Sequence, residues 1–223
     1  MITTEIDTVL FDLDGTLVNS IGILQETYFG FLSMHGATGS LEEFNRLNGP
    51  SLKEIVEYLR TQYAIPLSSE DVMSGYISVL KDAYSHRAMP LDGAQEILEH
   101  LHQRGLTLAL VTSTPNALVN CFTEKHDWNR FFKVIVSGDE VPQSKPSPEI
   151  YRLAIQRLAL DPQQCVVVED SVNGVRSACG AGLKVIGLAD NETSAAALLE
   201  AGAATVVPGL RAIHDQFAAL EAV

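Results

Sequence analysis

Residues 6–20 read IDTVLFDLDGTLVNS. Ile6 to Phe11 is a short apolar-rich run that stops abruptly at Asp12-Leu13-Asp14-Gly15. It is too short for a helix and reads as a buried strand. Asp12 and Asp14 leave that strand with their side chains on one side, because strand residues two apart share a face. Gly15 lets the chain turn sharply there. Two close carboxylates repel, so they need a cation, a shared proton or solvent. By itself an Asp-x-Asp-Gly after a strand is equally well an ordinary turn, so the rest of the chain must decide.

Similar runs occur at Leu106–Val111, Lys133–Val136, Cys165–Val168, Lys184–Leu188 and Ala204–Val207. Between most of them the apolar spacing is helical. Ile97, Leu98 and Leu101 follow Asp92, and Ile150, Leu153, Ala154 and Leu158 follow Ser147-Pro148. That Ser-Pro pair predicts a helix start, with the serine capping and the proline in the first turn. Strand and helix alternating in this way predict an α/β fold, a parallel sheet covered by helices on both faces.

Almost a hundred residues separate the first run from the second, and they contain no convincing strand. Ser40-Leu-Glu-Glu43 and Ser51-Leu-Lys-Glu54 each fit the capping box that opens a helix. Leu24, Tyr28, Phe31 and Leu32 form a helical stripe, expected to be the core of the segment rather than a binding surface. The prediction is a helical insertion over 20–87, dividing a core made of 1–19 and 88–223. No internal repeat or low-complexity segment is present.

The chain has 223 residues, 46% hydrophobic and 19% charged, which is a globular composition. Its formal net charge of −13 argues against nucleic acid or anionic membrane as partners. Cys121, Cys165 and Cys179 are far apart and lack CxxC spacing, so neither a disulfide framework nor a zinc site is expected. No apolar run approaches a membrane span, and the N-terminus, MITTEIDTVLFDLDG, lacks the pattern of a signal peptide. A cytoplasmic protein, monomeric or weakly dimeric, is expected.

Three further constellations sit where strands end. Thr112-Ser113 follows the second run, where a hydroxyl and backbone N–H groups could hold a phosphoryl oxygen, although such residues also cap helices. Lys145 lies in Ser144-Lys145-Pro146-Ser147-Pro148, and two prolines stiffen its surroundings, which suits a positioned charge. Glu169-Asp170 emerges from the apolar run at Cys165–Val168, and a hard cation with oxygen ligands explains such a pair well. Taken together, Asp12, Asp14, Glu169 and Asp170 bring four negative charges to one rim, where Mg²⁺ and Lys145 would offset much of them. Nucleophile, acid/base partner, hydroxyl and N–H donors and a metal clamp are what phosphoryl transfer requires.

These segments are similar to the four motifs of the haloacid dehalogenase superfamily, in the branch that contains phosphoglycolate phosphatase and β-phosphoglucomutase. The resemblance rests on FDLDGTLVNS (11–20), LALVTS (108–113), GDEVPQSKPSPEIY (138–151) and VVVEDSVNGVRSACGAG (166–182). It implies a Rossmann-like core carrying a helical cap, Mg²⁺ as cofactor, and a phosphatase acting on small phosphorylated metabolites through an aspartyl phosphate. Within it, Asp12 corresponds to the nucleophile and Asp14 to the general acid/base. Thr112, the Ser113 backbone N–H and Lys145 correspond to the phosphate-binding groups. Metal ligands correspond to the Asp12 side chain, the Asp14 carbonyl and Asp170, with Glu169 a ligand or its neighbour. Asn19 departs from the pattern, which often has aspartate there, near the cap hinge.

The nearest rival is a sugar phosphomutase of the β-phosphoglucomutase type. That pattern carries a cap histidine and an arginine after Gly-x-Ser, where this chain has Leu24 and, after Gly49-Pro50-Ser51, Leu52. Lys53 is adjacent, but on a helix it points about 100° away from Leu52. Thr16, valine in the mutase pattern, is expected to orient Asp14. A dehalogenase is disfavoured by the presence of Asp14, and a dehydrogenase by the lack of GxGxxG after the first strand. A phospho-signalling receiver module shares the residue types but has no long helical insertion.

Overall fold

The computed structural model describes residues 6–47 and 50–219. Met1 to Glu5 of the N-terminal reading, and Gly49 of the Gly-x-Ser reading, lie outside the described residues. Six strands form one parallel sheet: β1 (Thr8–Phe11), β2 (Thr107–Val111), β3 (Val134–Val136), β4 (Cys165–Glu169), β5 (Lys184–Leu188) and β6 (Thr205–Val207). Their spatial order is β3-β2-β1-β4-β5-β6. Each expected run is a strand, trimmed by one or two residues at its start in four cases.

β1 is central, with Phe11 beside Leu110 on one side and beside Val168 on the other. All four β1 residues are buried. Successive side chains go to opposite faces, as the pleat requires. Val9 and Phe11 join one apolar core with Leu108, Leu110, Val166 and Val168. Leu10 joins the other with Ala109, Val111 and Val167. This double burial is why the strands read as continuous apolar runs rather than alternating ones.

Helices cover both faces. α5 (Ala94–Gln103), α6 (Asn116–Lys125) and α10 (Leu210–Ala219) contribute Ile97, Leu98, Leu118, Phe122 and Ile213 to the first core. The second core takes Ile150 and Tyr151 from α7 (Glu149–Leu158), Val175 from α8 (Val172–Gly180) and Leu198 from α9 (Glu192–Ala201). α7 corrects one expectation: it starts at Glu149 with Pro148 as its cap, not with a serine cap. Proline has no N–H and no polar side chain, and Ser147 Oγ accepts only a long 3.5 Å bond from the Glu149 N–H.

Between β1 and α5 lie four helices: α1 (Ile21–Met34), α2 (Leu41–Arg46), α3 (Leu52–Gln62) and α4 (Ser69–His86). Ser51 and Glu54 close the full capping box at the start of α3. Ser40 caps α2, but its Glu43 turns away to accept bonds from Tyr28, Tyr58 and Tyr63. The apolar stripe of α1 divides. Tyr28, Phe31 and Leu32 are buried in the core as expected, whereas Leu24 is only partly buried; Leu24 and Tyr28 also line a cavity, so the stripe is not core alone. No described helix is long and apolar enough to cross a membrane.

Candidate active site

In an open parallel sheet the strand order reverses at one point, and a crevice opens beyond the carboxyl ends of the two strands there. Here that point lies between β1 and β4, and the Asp12 N–H still bonds the Val168 carbonyl at 3.1 Å. Asp12 and Asp14 emerge from β1, and Glu169 and Asp170 from β4. Gly15 then turns the chain at φ 84°, where a β-carbon would also overlap the Asp170 carboxylate. Only glycine meets both demands without strain.

Lys145 connects the two strand ends. Its ammonium donates to Asp12 Oδ1 at 2.5 Å, Glu169 Oε1 at 2.5 Å and the Val111 carbonyl at 2.9 Å. The side chain is 2% exposed, so this is a buried network rather than a surface ion pair. Burial alone would lower the ammonium pKa, but the charges of Asp12 and Glu169, and their hydrogen bonds, hold it above its usual value. Burial pushes the Asp12 carboxyl up to about 7 against the pull of Lys145, and Glu169 and Asp14 add to the rise. Asp170 is also driven well above the usual carboxylate range, by burial and then by Asp12 and Glu169.

Glu169 is fully buried, and protein donors reach both its oxygens. Tyr151 Oη donates to Oε1 at 3.0 Å beside Lys145, while Ser171 donates to Oε2 through its N–H and hydroxyl at 3.3 and 3.1 Å. The same Ser171 hydroxyl caps α8 by accepting from the Gly174 N–H at 3.0 Å. A β-carbon at Gly174 would overlap the Glu169 carboxylate.

Asp14 is held differently. Tyr84 of α4 and Thr114 each donate a hydroxyl to it, one to each oxygen. The Thr114 N–H in turn donates to Thr112 Oγ1 at 3.1 Å, and Ser113 Oγ pairs with Ser144 Oγ at 2.7 Å. Thr16 corrects an expectation: its hydroxyl donates to Asp170 Oδ1 at 3.2 Å rather than orienting Asp14. The turn after Gly15 carries Thr16 toward β4.

Asp12, Asp14, Thr112, Ser113, Lys145 and Asp170 all line one cavity of about 100 Å³, and Glu169 lies beneath it, bonded to Lys145. Leu24 and Leu52 line the same cavity from the helical side, whereas Lys53 is exposed and does not. One carboxylate oxygen from each of Asp12, Glu169 and Asp170 lies within 4.8 Å of the others. Four carboxylates against one ammonium leave excess negative charge, and an all-oxygen donor set suits a hard divalent cation. The residues present therefore fit a metal ion.

Residues 9–188 match the family model described as haloacid dehalogenase-like hydrolase. The chain belongs to that family. Among curated relatives, it is 32% identical to the phosphorylated carbohydrates phosphatase of Thermotoga maritima, over 90% of this chain and 94% of that one. It is 34% identical over 80% of its length to the bifunctional riboflavin kinase/FMN phosphatase of Arabidopsis thaliana, and the match spans 47% of that larger protein. Among solved structures, CbbY from Rhodobacter sphaeroides in complex with phosphate superposes with a TM-score of 0.78 at 29% identity, covering 92% of this chain and 95% of that one. Family membership makes the chain an enzyme of the hydrolase class, with the Rossmann-like core of its solved relatives.

Three polar residues of the site escape a reading of the sequence. Tyr84 lies 70 residues from Asp14, and nothing local marks it. Tyr151 reads as one more residue of the α7 apolar face. Thr114 is adjacent to Thr112-Ser113, and that run of three hydroxyls was the available signal.

Proposed function

We propose that this chain is a Mg²⁺-dependent phosphatase of small phosphate monoesters that works through an aspartyl phosphate on Asp12. The observation that carries the reading is the Asp12 carboxylate at the end of β1, with Lys145 on one side and Asp14 across the cavity. Asp12 attacks the phosphorus. The Thr112 hydroxyl and the Ser113 N–H bind the phosphoryl oxygens, the Lys145 ammonium offsets their charge from beside Asp12, and Asp14 protonates the leaving alkoxide. Asp14 then takes a proton from water, which attacks the same phosphorus, breaks its bond to Asp12 and releases inorganic phosphate.

Asp12, Asp170 and the Asp14 main-chain carbonyl would hold Mg²⁺, with Glu169 positioning Lys145 beside it. When bound, Mg²⁺ neutralises charge on the transferring phosphoryl group. We read α1–α4 as a cap over 20–87 that closes on a core of 1–19 and 88–223, excluding water and fixing the leaving group. With its three cysteines as free thiols, the enzyme is assigned to the cytoplasm. The test is release of inorganic phosphate from a panel of phosphorylated metabolites with Mg²⁺. Transfer of the phosphoryl group to a second sugar hydroxyl, faster than its release to water, would instead place the chain with the mutases.

Asp170→Asn separates binding of the cation from stability. Folding raises the Asp170 pKa, so the folded state holds the proton more tightly than the unfolded chain. The cation-free fold is thus favoured at low pH and loses stability as pH rises through the window above the ordinary carboxylate value. The variant should need more than ~10-fold more Mg²⁺ for half-maximal rate. In excess chelator at pH 8 its Tm should equal or exceed that of the parent. Full activity of the parent in chelator would contradict the metal assignment.

Thr114→Val tests the hold on Asp14. Losing one hydrogen bond to a charged group is worth about 1.5–3 kcal/mol, or roughly 10–100-fold in rate if it serves the transition state. The expected result is a fall of that size in kcat for an alkyl phosphate and a smaller one for an aryl phosphate, whose leaving group needs little protonation. Equal losses would mean that Thr114 acts only on the fold.

A further inference from the structure

The floor of the cavity is polar, but the opposite wall is not. Leu24, Phe44, Leu52, Ile55, Leu80 and Leu118 form most of it, contributed by α1–α4 and α6. Among the described lining residues Lys145 is the sole cation, and its ammonium is already committed to Asp12, Glu169 and the Val111 carbonyl. Two of the three tyrosine hydroxyls there are engaged as well, Tyr28 with Glu43 and Tyr84 with Asp14. The space left is about 100 Å³, part of which a phosphoryl group must fill.

We infer that the leaving group this enzyme accepts is a compact apolar alcohol, alkyl or aryl, bearing a single phosphate and no second anionic group. The inference rests on the phosphatase reading above and specifies its substrate class. A carboxylate or second phosphate placed against the leucine wall loses its hydration and finds no uncommitted cation among the described lining residues, which is the most unfavourable form of polar burial. A sugar hydroxyl there exchanges water for hydrocarbon. An alkyl chain instead removes its own surface and that of the leucines from water.

The test compares substrates of matched size with the whole chain and Mg²⁺: n-butyl phosphate, glycerol 3-phosphate and phosphoglycolate, with p-nitrophenyl phosphate as the general phosphatase reference. Butyl phosphate should exceed glycerol 3-phosphate in kcat/KM by about 10–100-fold, the discrimination an apolar pocket achieves. Butanol is the poorer leaving group, so that order cannot come from intrinsic reactivity. Phosphoglycolate should rank below both. Leu24 is only partly buried, and Leu24→Lys places a cation on the wall. The variant should raise phosphoglycolate relative to butyl phosphate by about tenfold or more. If p-nitrophenyl phosphate is cleaved but glycerol 3-phosphate or phosphoglycolate equals or outranks butyl phosphate, the apolar assignment is overturned and the phosphatase reading stands. If no monoester is cleaved, both fall.

Discussion

Asp12→Asn is expected to abolish turnover and leave the fold intact. The amide has nearly the shape of the carboxylate, and its oxygen can still accept the Lys145 hydrogen bond that Asp12 Oδ1 accepts at 2.5 Å. An amide oxygen, however, is far too weak a nucleophile to take up a phosphoryl group. Loss of a residue that forms the covalent bond removes on the order of 10⁴-fold or more of the rate. Stability should not suffer. Burial already pushes the Asp12 carboxyl up to about 7, so its ionised form is costly near neutral pH in the absence of a cation. The check is kcat together with the thermal midpoint of the same preparation. Near-normal kcat in the folded variant would remove Asp12 as the nucleophile.

Lys145→Met is expected to cost both activity and stability. Methionine fills much of the same volume but leaves Asp12 and Glu169 buried without their shared partner. Breaking a buried ion pair from one side is destabilising by about 3–5 kcal/mol, chiefly because the surviving charge is uncompensated. Its pH dependence has a definite sign. With the ammonium gone, Asp12 loses the pull that opposes its burial and its carboxyl is pushed up further, so the folded variant binds a proton more tightly there and its stability falls as pH rises. Urea denaturation at pH 5.5 and pH 8 should show a larger deficit at pH 8. A variant as stable as the parent at both pH values would contradict the buried network. Activity should be lost as well, since Lys145 both orients Asp12 and offsets the charge of the phosphoryl group beside it.

Of the residues that these two variants change, Asp12 is revealed by the sequence for a simple reason: it stands where an apolar run ends. Four valine-rich or leucine-rich strands, buried on both faces, make β1, β2, β4 and β5 legible without any neighbour. A carboxylate directly after such a run, as at Asp12 or Glu169, has no reason to be there unless something charged meets it. Lys145 is legible because prolines fix the chain around it.

What the sequence does not disclose is pairing across the chain. Thr16 turns toward Asp170, 154 residues away, and Tyr84 reaches Asp14 from a different helix. Neither contact has a local signature, because both depend on how α4 and the turn after Gly15 settle on the sheet. The stripe on α1 is legible only in part for a related reason. Leu24 and Phe31 share a helical period, but Phe31 packs against Tyr76 with ring centroids 5.1 Å apart, while Leu24, farther toward the amino end of the helix, meets the cavity. Periodicity gives the face, and only the packing shows which part of it meets a ligand.

If Asp12 itself carries the phosphoryl group, chemical trapping during turnover will find it there. Borohydride reduces an acyl phosphate to an alcohol but leaves a free carboxylate untouched. The parent and an Asp14→Asn variant would be quenched with borohydride during turnover of an aryl phosphate and mapped by peptide mass spectrometry. An aryl leaving group needs little protonation, so the variant is slowed chiefly in releasing the intermediate. Homoserine is expected at position 12, dependent on substrate and more abundant in the variant. Intact aspartate at position 12 in enzyme that is turning over, with the phosphoryl group found on another residue or on none, would contradict it.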